Sequence, residues 1–350
     1  MERNLQINYY GYFTPVGGYG IANLNWIKHL SRCGIDVYPH AKFKPKEGSI
    51  EWEMLDDEQR EILNKPFEKK KIGIIESNPF DFDILDTDIK IANTMCESDH
   101  VDSSWAEALN KMDYIIVPNK FNKDVFINSG VTKPIKIIPH GVDTDTFYNF
   151  SRPGNRDVFT FGILGYLDQH DRKGAFDTIR AFVSEFKPGE PVRLLIKSSD
   201  PSFKYYSRFT DPRIEVITKP YLPHEVYQFY GKLDCFVFPS KAEGIGYPPR
   251  EAMLTGLPVI LTQWSGMKEV AFKDISYPLT HFTLKKRYNF IEQDGNWAVN
   301  DIQEIMYWMR YAYEHREESK FRGHNAAKYI RDKFNWTKSA IKMRNFLHTL

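Results

Sequence analysis

The chain has 350 residues, of which 42% are hydrophobic and 27% charged, and its 47 basic and 46 acidic side chains leave a formal net charge of +1. That balance lacks the global electrostatic footprint of a nucleic-acid binder, and no stretch approaches the roughly 18 apolar residues needed to span a membrane. The length sets a prior of two domains, each large enough for its own core.

Apolar strand-like runs at 5–13, 35–40, 71–77, 89–95, 114–118 and 135–139 alternate with helical patterns. This predicts wound α/β layers rather than a β-sandwich or a helical bundle. Between the first two runs, Ile21, Leu24, Ile27 and Leu30 recur at helical spacing, and Gly34 is placed to end that helix in a left-handed conformation. Residues 42–70 read as a helical excursion whose charge runs form a solvated face. Ser151-Arg152-Pro153-Gly154-Asn155 has the composition of a linker. A second series follows at 157–164, 192–197, 214–218, 235–239 and 258–262, with Phe176, Ile179, Val183 and Phe186 on one helix face. The expected architecture is therefore two doubly wound Rossmann-like domains, 1–152 and 153–335, facing a central cleft, with ligands beyond the carboxyl ends of the strands.

Cys33, Cys96 and Cys235 are far apart and odd in number, which supports neither a disulfide framework nor a zinc site. With no apolar leader ahead of the first strand, a cytoplasmic protein is expected. Aromatic residues make up 15% of the chain, a composition suited to a polar ligand, although most aromatics in any protein serve its core.

Three segments carry chemistry. Thr14-Pro15-Val16-Gly17-Gly18-Tyr19-Gly20 lies between a strand and a helix, where glycines let backbone N–H groups approach an anion or a sugar. Its spacing is not that of a dinucleotide fold, and a tight turn feeding a helix is the plain alternative. Gly165 to Gly174 follows the first strand of the second series, and Arg172 and Lys173 there are placed to pair with phosphate oxygens; a solvated basic turn is the alternative. The third segment, Phe238 to Met253, holds Glu243 and Glu251 seven residues apart across Gly244-Ile245-Gly246-Tyr247. A carboxylate accepts from two hydroxyls at once, as a ribose diol or a sugar edge requires, and the loop N–H groups suit a phosphate.

On these residues the sequence closely resembles the retaining glycosyltransferases of family four, which have the GT-B fold. The resemblance runs nearly end to end, adding Val117-Pro118-Asn119 with Phe121, Pro139-His140-Gly141-Val142-Asp143 with Phe147, Ser265-Gly266 with Glu269, and Phe334-Asn335-Trp336 with Ala340. It implies an N-terminal domain that holds the acceptor, a C-terminal domain that holds a nucleoside-diphosphate sugar, and a final helix, 336–350, that returns to the first domain. It further implies that Glu251 binds the ribose, Glu243 the transferred sugar, Gly246 and Tyr247 the sugar and phosphate, Lys173 the diphosphate, and Gly18 a position near that diphosphate.

Two positions depart from the family pattern. Tyr166 stands where an arginine is usual, so Arg172 is the candidate to supply that charge. Where many relatives carry a histidine after the fourth strand, this chain has Cys96 or Glu97; Glu97 is the candidate sugar contact and His100 a weaker alternative. Residues after 197 and around 220–223 are expected at the base pocket. Three Asp-x-Asp triplets, at 81–83, 86–88 and 143–145, are common in loops, and a basic diphosphate site makes an essential metal unnecessary.

The expected activity is retaining transfer from a nucleoside-diphosphate sugar to an acceptor hydroxyl, glycan or lipid-linked, without cofactor or metal and with peripheral membrane contact at most. The alternatives are a non-catalytic sugar-nucleotide-binding partner subunit and a transferase acting on a modified nucleic-acid base, the second disfavoured by the neutral charge.

Overall fold

The structure, a computed structural model, describes residues 5–148, 156–203, 210–218, 223–286 and 295–350. The linker run 151–155 and residues 220–222 of the expected base pocket lie outside the described residues. The chain divides into two compact units, one made of Met1–Gly141, Tyr288–Gly295 and Phe334–Leu350, the other of Val142–Arg287 and Asn296–Lys333.

In the first unit, β1 (Gln6–Tyr12), β2 (Asp36–Phe43), β3 (Ile72–Glu76), β4 (Ile89–Asn93), β5 (Tyr114–Val117) and β6 (Ile135–Ile137) form one parallel sheet in the order β2-β1-β3-β4-β5-β6. The helix Gly18–Arg32 follows β1 and ends at Gly34, whose φ of 86° is the left-handed conformation predicted for it. Residues 42–70 contain the two short helices Ile50–Glu53 and Asp57–Leu63, the second begun by a reciprocal capping box between Asp56 and Gln59. The last helix, Trp336–Leu347, belongs to this unit and packs on Gly18–Arg32, with Trp336 edge-on to Trp26 at 5.1 Å. Gly141 is needed for that docking, since a Cβ there would lie 2.3 Å from the Trp336 backbone nitrogen.

The second unit repeats the plan with β7 (Phe159–Gly165), β8 (Val192–Ser198), β9 (Ile214–Ile217), β10 (Cys235–Phe238), β11 (Val259–Thr262) and β12 (Tyr277–Leu279), all parallel and ordered β12-β11-β10-β7-β8-β9. Two Rossmann-like parallel sheets are thus the architecture that the alternation of apolar runs predicts. Periodicity does not announce β12, whose three residues include Pro278, a residue that a sheet accepts at its edge, where β12 lies. It also misses the antiparallel pair β13 (Phe282–Lys286) and β14 (Asn296–Asn300). The exposed β13 has no buried alternation to betray it, and β14 is read only through its contacts: Ala298 donates its N–H to the Lys241 carbonyl at 2.9 Å.

Candidate functional site

In the second unit the carboxyl ends of β7 and β10 meet, and the residues following each strand interlock. The Lys241 N–H donates to the Arg172 carbonyl at 2.8 Å, and the Ser240 hydroxyl oxygen lies 3.2 Å from the same oxygen. Gly174 then starts the helix Ala175–Glu185 with φ 74°, and a Cβ there would come within 2.5 Å of the Pro239 carbonyl oxygen, so glycine alone lets the two segments approach.

This juxtaposition brings three of the predicted residues together. Lys173 Nζ donates to Glu243 Oε1 at 2.5 Å, and Arg172 Nη1 reaches the same oxygen at 3.2 Å and the Ala242 carbonyl at 2.6 Å. Ser240 completes the set with a 2.7 Å hydrogen bond to that oxygen. Glu243 is only 4% exposed. Burial works against its ionisation, but the charges of Lys173 and Arg172, with the hydrogen bonds from Lys173 and Ser240, outweigh it and hold the carboxyl below the usual range. Its backbone is fixed too: the Glu243 N–H donates to Ser265 Oγ at 3.0 Å and its carbonyl accepts from Gly266 N–H at 2.9 Å.

Gly244, Ile245 and Gly246 follow as a buried loop, and Gly246, at φ 76°, caps the helix Tyr247–Leu254. That helix opens Tyr247-Pro248-Pro249-Arg250, and prolines carry no N–H. Its first turn therefore lacks two of the backbone donors that a helix N-terminus ordinarily turns toward an anion, and the helix dipole remains. Glu251, one turn in, stands apart from the basic turn and receives the Tyr230 hydroxyl at 2.9 Å. Its pKa is raised to about 7: burial pushes it up, the Tyr230 hydrogen bond opposes this, and the negative charge of Asp143 adds to the rise.

Tyr166, at the head of the turn, is 60% exposed. It borders a shallow depression with Asp168, His170, Asp200 and Ser202. In the first unit, Gly17 (φ 83°) caps the helix Gly18–Arg32 and both Gly17 and Gly18 are exposed. The Tyr19 hydroxyl donates to the Met95 carbonyl at 3.5 Å, which sets this loop beside the one that follows β4. There Cys96 turns into the core, its carbonyl accepting from Asn122 at 2.8 Å, and half-buried Glu97 is left on the loop; His100 is exposed beside Ser129.

Four partners of the site carry no assigned role in the sequence reading: Tyr230, Ser240, Ser265 and Lys241. Ser240 and Ser265 lie in segments already singled out, so their hydroxyls were legible as candidates; nothing in sequence spacing links Tyr230 to Glu251. Among the described residues no group of three or more His, Cys, Asp or Glu side chains is placed to hold a metal ion, and no helix is long and apolar enough to cross a membrane.

Residues 158–276 match the family model described as glycosyl transferases group 1. The matched segment spans β7 to β11 and so contains both the basic turn and the two glutamates. A protein of Sulfolobus islandicus filamentous virus, named as a glycosyltransferase, is 23% identical over 250 residues, 67% of this chain and 67% of that protein. The solved sucrose-phosphate synthase of Thermosynechococcus elongatus is similar with a TM-score of 0.70 at 14% identity, over 99% of this chain and 98% of that one. Anabaena HepE, solved with UDP and glucose, gives 0.68 at 14% identity, over 99% of this chain and all of that one. At these identities the likeness is one of fold, and the fold is GT-B.

Proposed function

We propose that the protein is a retaining, metal-independent glycosyltransferase that moves a hexose-like sugar from a nucleoside diphosphate to a hydroxyl of a glycan or lipid-linked acceptor. The observation that carries this reading is Glu243, buried yet held ionised by two cations at the head of a glycine-rich loop. One of its oxygens is committed to Lys173, Arg172 and Ser240, so the carboxylate serves as a fixed acceptor for sugar hydroxyls rather than as a nucleophile. Glu251, with Tyr230 behind it, is assigned to the ribose diol. Lys173, Arg172 and the donors around Gly246 and Tyr247 face the diphosphate. Glu97 and Gly18 are taken as sugar and diphosphate contacts on the family resemblance alone.

In this mechanism the acceptor oxygen attacks the anomeric carbon from the face the diphosphate leaves, the C–O bond to phosphate breaks, and a leaving phosphate oxygen takes the acceptor proton. The residues contribute position and charge: the two cations stabilise the negative charge that grows on the diphosphate. The group 1 match and HepE, solved with UDP and glucose, support a nucleotide-sugar donor. A cytoplasmic location, with membrane contact peripheral at most, accompanies the reading.

The test is incubation of the purified protein with UDP-, GDP- and ADP-sugars, following donor consumption and the anomeric signal of the product by NMR, with and without chelator. Product of inverted configuration, or activity abolished by chelator and restored by manganese, would overturn the mechanism. Undiminished turnover by both Lys173→Ala and Glu251→Ala would overturn the site.

A further inference from the structure

Beneath the basic turn lies a second charge cluster, in which a lysine and two aspartates are buried. Lys241, 7% exposed, donates its ammonium to the Asp171 carbonyl at 2.8 Å and to Asp171 Oδ2 at 2.7 Å, and faces Asp177 Oδ2 at 3.0 Å. Asp171 and Asp177 are themselves buried, and the other oxygen of each is used: Asp171 Oδ1 accepts the Phe176 N–H at 2.9 Å, and Asp177 Oδ1 pairs with Arg180. A net charge buried this deeply is costly unless every member is paired, so a surface role does not account for it. The backbone at its centre is also unusual. Asp171 has φ 54°, a left-handed conformation that costs a side-chain-bearing residue energy and persists where surroundings impose it.

We propose that Lys241 is a positioning residue for diphosphate recognition, which ties Asp171 into its left-handed turn so that the next two residues, Arg172 and Lys173, present their cations together. This rests on the assignment of those cations to the diphosphate. Lys241 is suited to it on both sides. Its side chain clamps residue 171, its N–H holds the Arg172 carbonyl, and its own carbonyl is anchored by Ala298 of β14, outside the turn. The lysine therefore references the turn to a hairpin whose Asn300 also holds the Pro239 carbonyl at 2.9 Å.

The prediction separates phosphate position from folding. Calorimetric titration with UDP, GDP and ADP, each against its monophosphate, gives the preference of the protein for a second phosphate. In Lys241→Met that preference is expected to fall at least tenfold, with monophosphate affinity changed less than twofold; Lys241→Arg is expected to recover part of it. Because Lys241→Met leaves two buried carboxylates facing each other, the neutral combination of Asp171→Asn, Asp177→Asn and Lys241→Met is measured alongside, and the same loss of preference is expected in a protein that melts cooperatively. If the wild type prefers diphosphates and the neutral combination keeps that preference, or loses monophosphate and diphosphate affinity equally, Lys241 is not a positioning residue. A wild type that binds none of the diphosphates overturns the site assignment and this inference with it.

Discussion

Each unit places a buried glutamate at the carboxyl end of a central strand, and the two meet opposite fates. In the second unit, Glu243 lies just past β10 and is surrounded by Lys173, Arg172 and Ser240, which keep it ionised. In the first, Glu76 closes β3, fully buried, with one oxygen accepting from Tyr9 at 2.8 Å and Asn93 at 3.1 Å and the other 3.5 Å from His140. Burial pushes its pKa well above the ordinary range, and the Tyr9 hydrogen bond only partly opposes this. Depth in a Rossmann-like sheet therefore does not by itself set the charge of a carboxylate. What differs is the charge of the neighbours: two cations from the turn after β7 favour the ionised form of one acid, while around the other burial outweighs the neutral donors and favours the neutral form.

The strongest way to break this contrast is to remove a cation. Lys173→Ala should lower transfer turnover by roughly 10²–10³-fold, the scale of losing one preorganised charge-stabilising donor. Glu243→Gln should also be severely impaired, because an amide facing Lys173 and Arg172 offers no negative charge to either. Turnover with a fixed UDP-, GDP- or ADP-sugar measures both, and melting curves distinguish lost chemistry from lost fold. Activity within a few-fold of wild type in both variants would reduce the cluster around Glu243 to a structural one like that around Glu76.

Glu251 is intermediate between the two, and pH resolves it. With its pKa raised to about 7, it gains a proton below that value and loses the acceptor that the proposed function assigns to a ribose diol. Nucleoside diphosphate affinity should accordingly fall as pH drops below about 7, by up to about tenfold per unit if only the ionised form binds. The Tyr230 hydroxyl stabilises that ionised form, so Tyr230→Phe should move the midpoint upward. Glu251→Gln should bind more weakly and flatten the profile; a profile unchanged by that substitution would assign the titration to another group.

How much of this contrast the sequence carries differs between its two halves. The Glu-x7-Glu spacing, the glycines at 174 and 246 and the basic pair are local in the chain and serve a repeated plan, so they are readable without coordinates. All of the predicted parallel strands are present for the same reason: buried parallel strands are apolar runs. Glu76 is not legible in the sequence, because it is a single polar residue at the end of an apolar strand and its partners Tyr9, Asn93 and His140 come from three other segments. Tyr230 and Lys241 stayed silent on the same ground. Tertiary neighbours decide whether a charged residue is ionised, and spacing along one segment does not encode neighbours from another.

The smallest effect tests the structural half of the contrast. A glutamate whose folded pKa lies well above its unfolded value keeps its proton in the native state after the unfolded chain has released it. Its stabilising contribution is complete below about pH 4.3 and is lost progressively as pH rises toward the folded value, with a limiting slope of about 1.4 kcal/mol per pH unit. Glutamine mimics the protonated acid, accepting from Tyr9 and Asn93 through its carbonyl, and it does not titrate. Glu76→Gln should therefore change stability little at pH 5 and become progressively more stable than wild type toward pH 8, while turnover at a fixed pH stays within about twofold. Urea unfolding at several pH values reads the difference directly. If wild type and variant lose stability in parallel with pH, Glu76 is ionised in the native state and paired with His140, and the two units hold their glutamates in the same way after all.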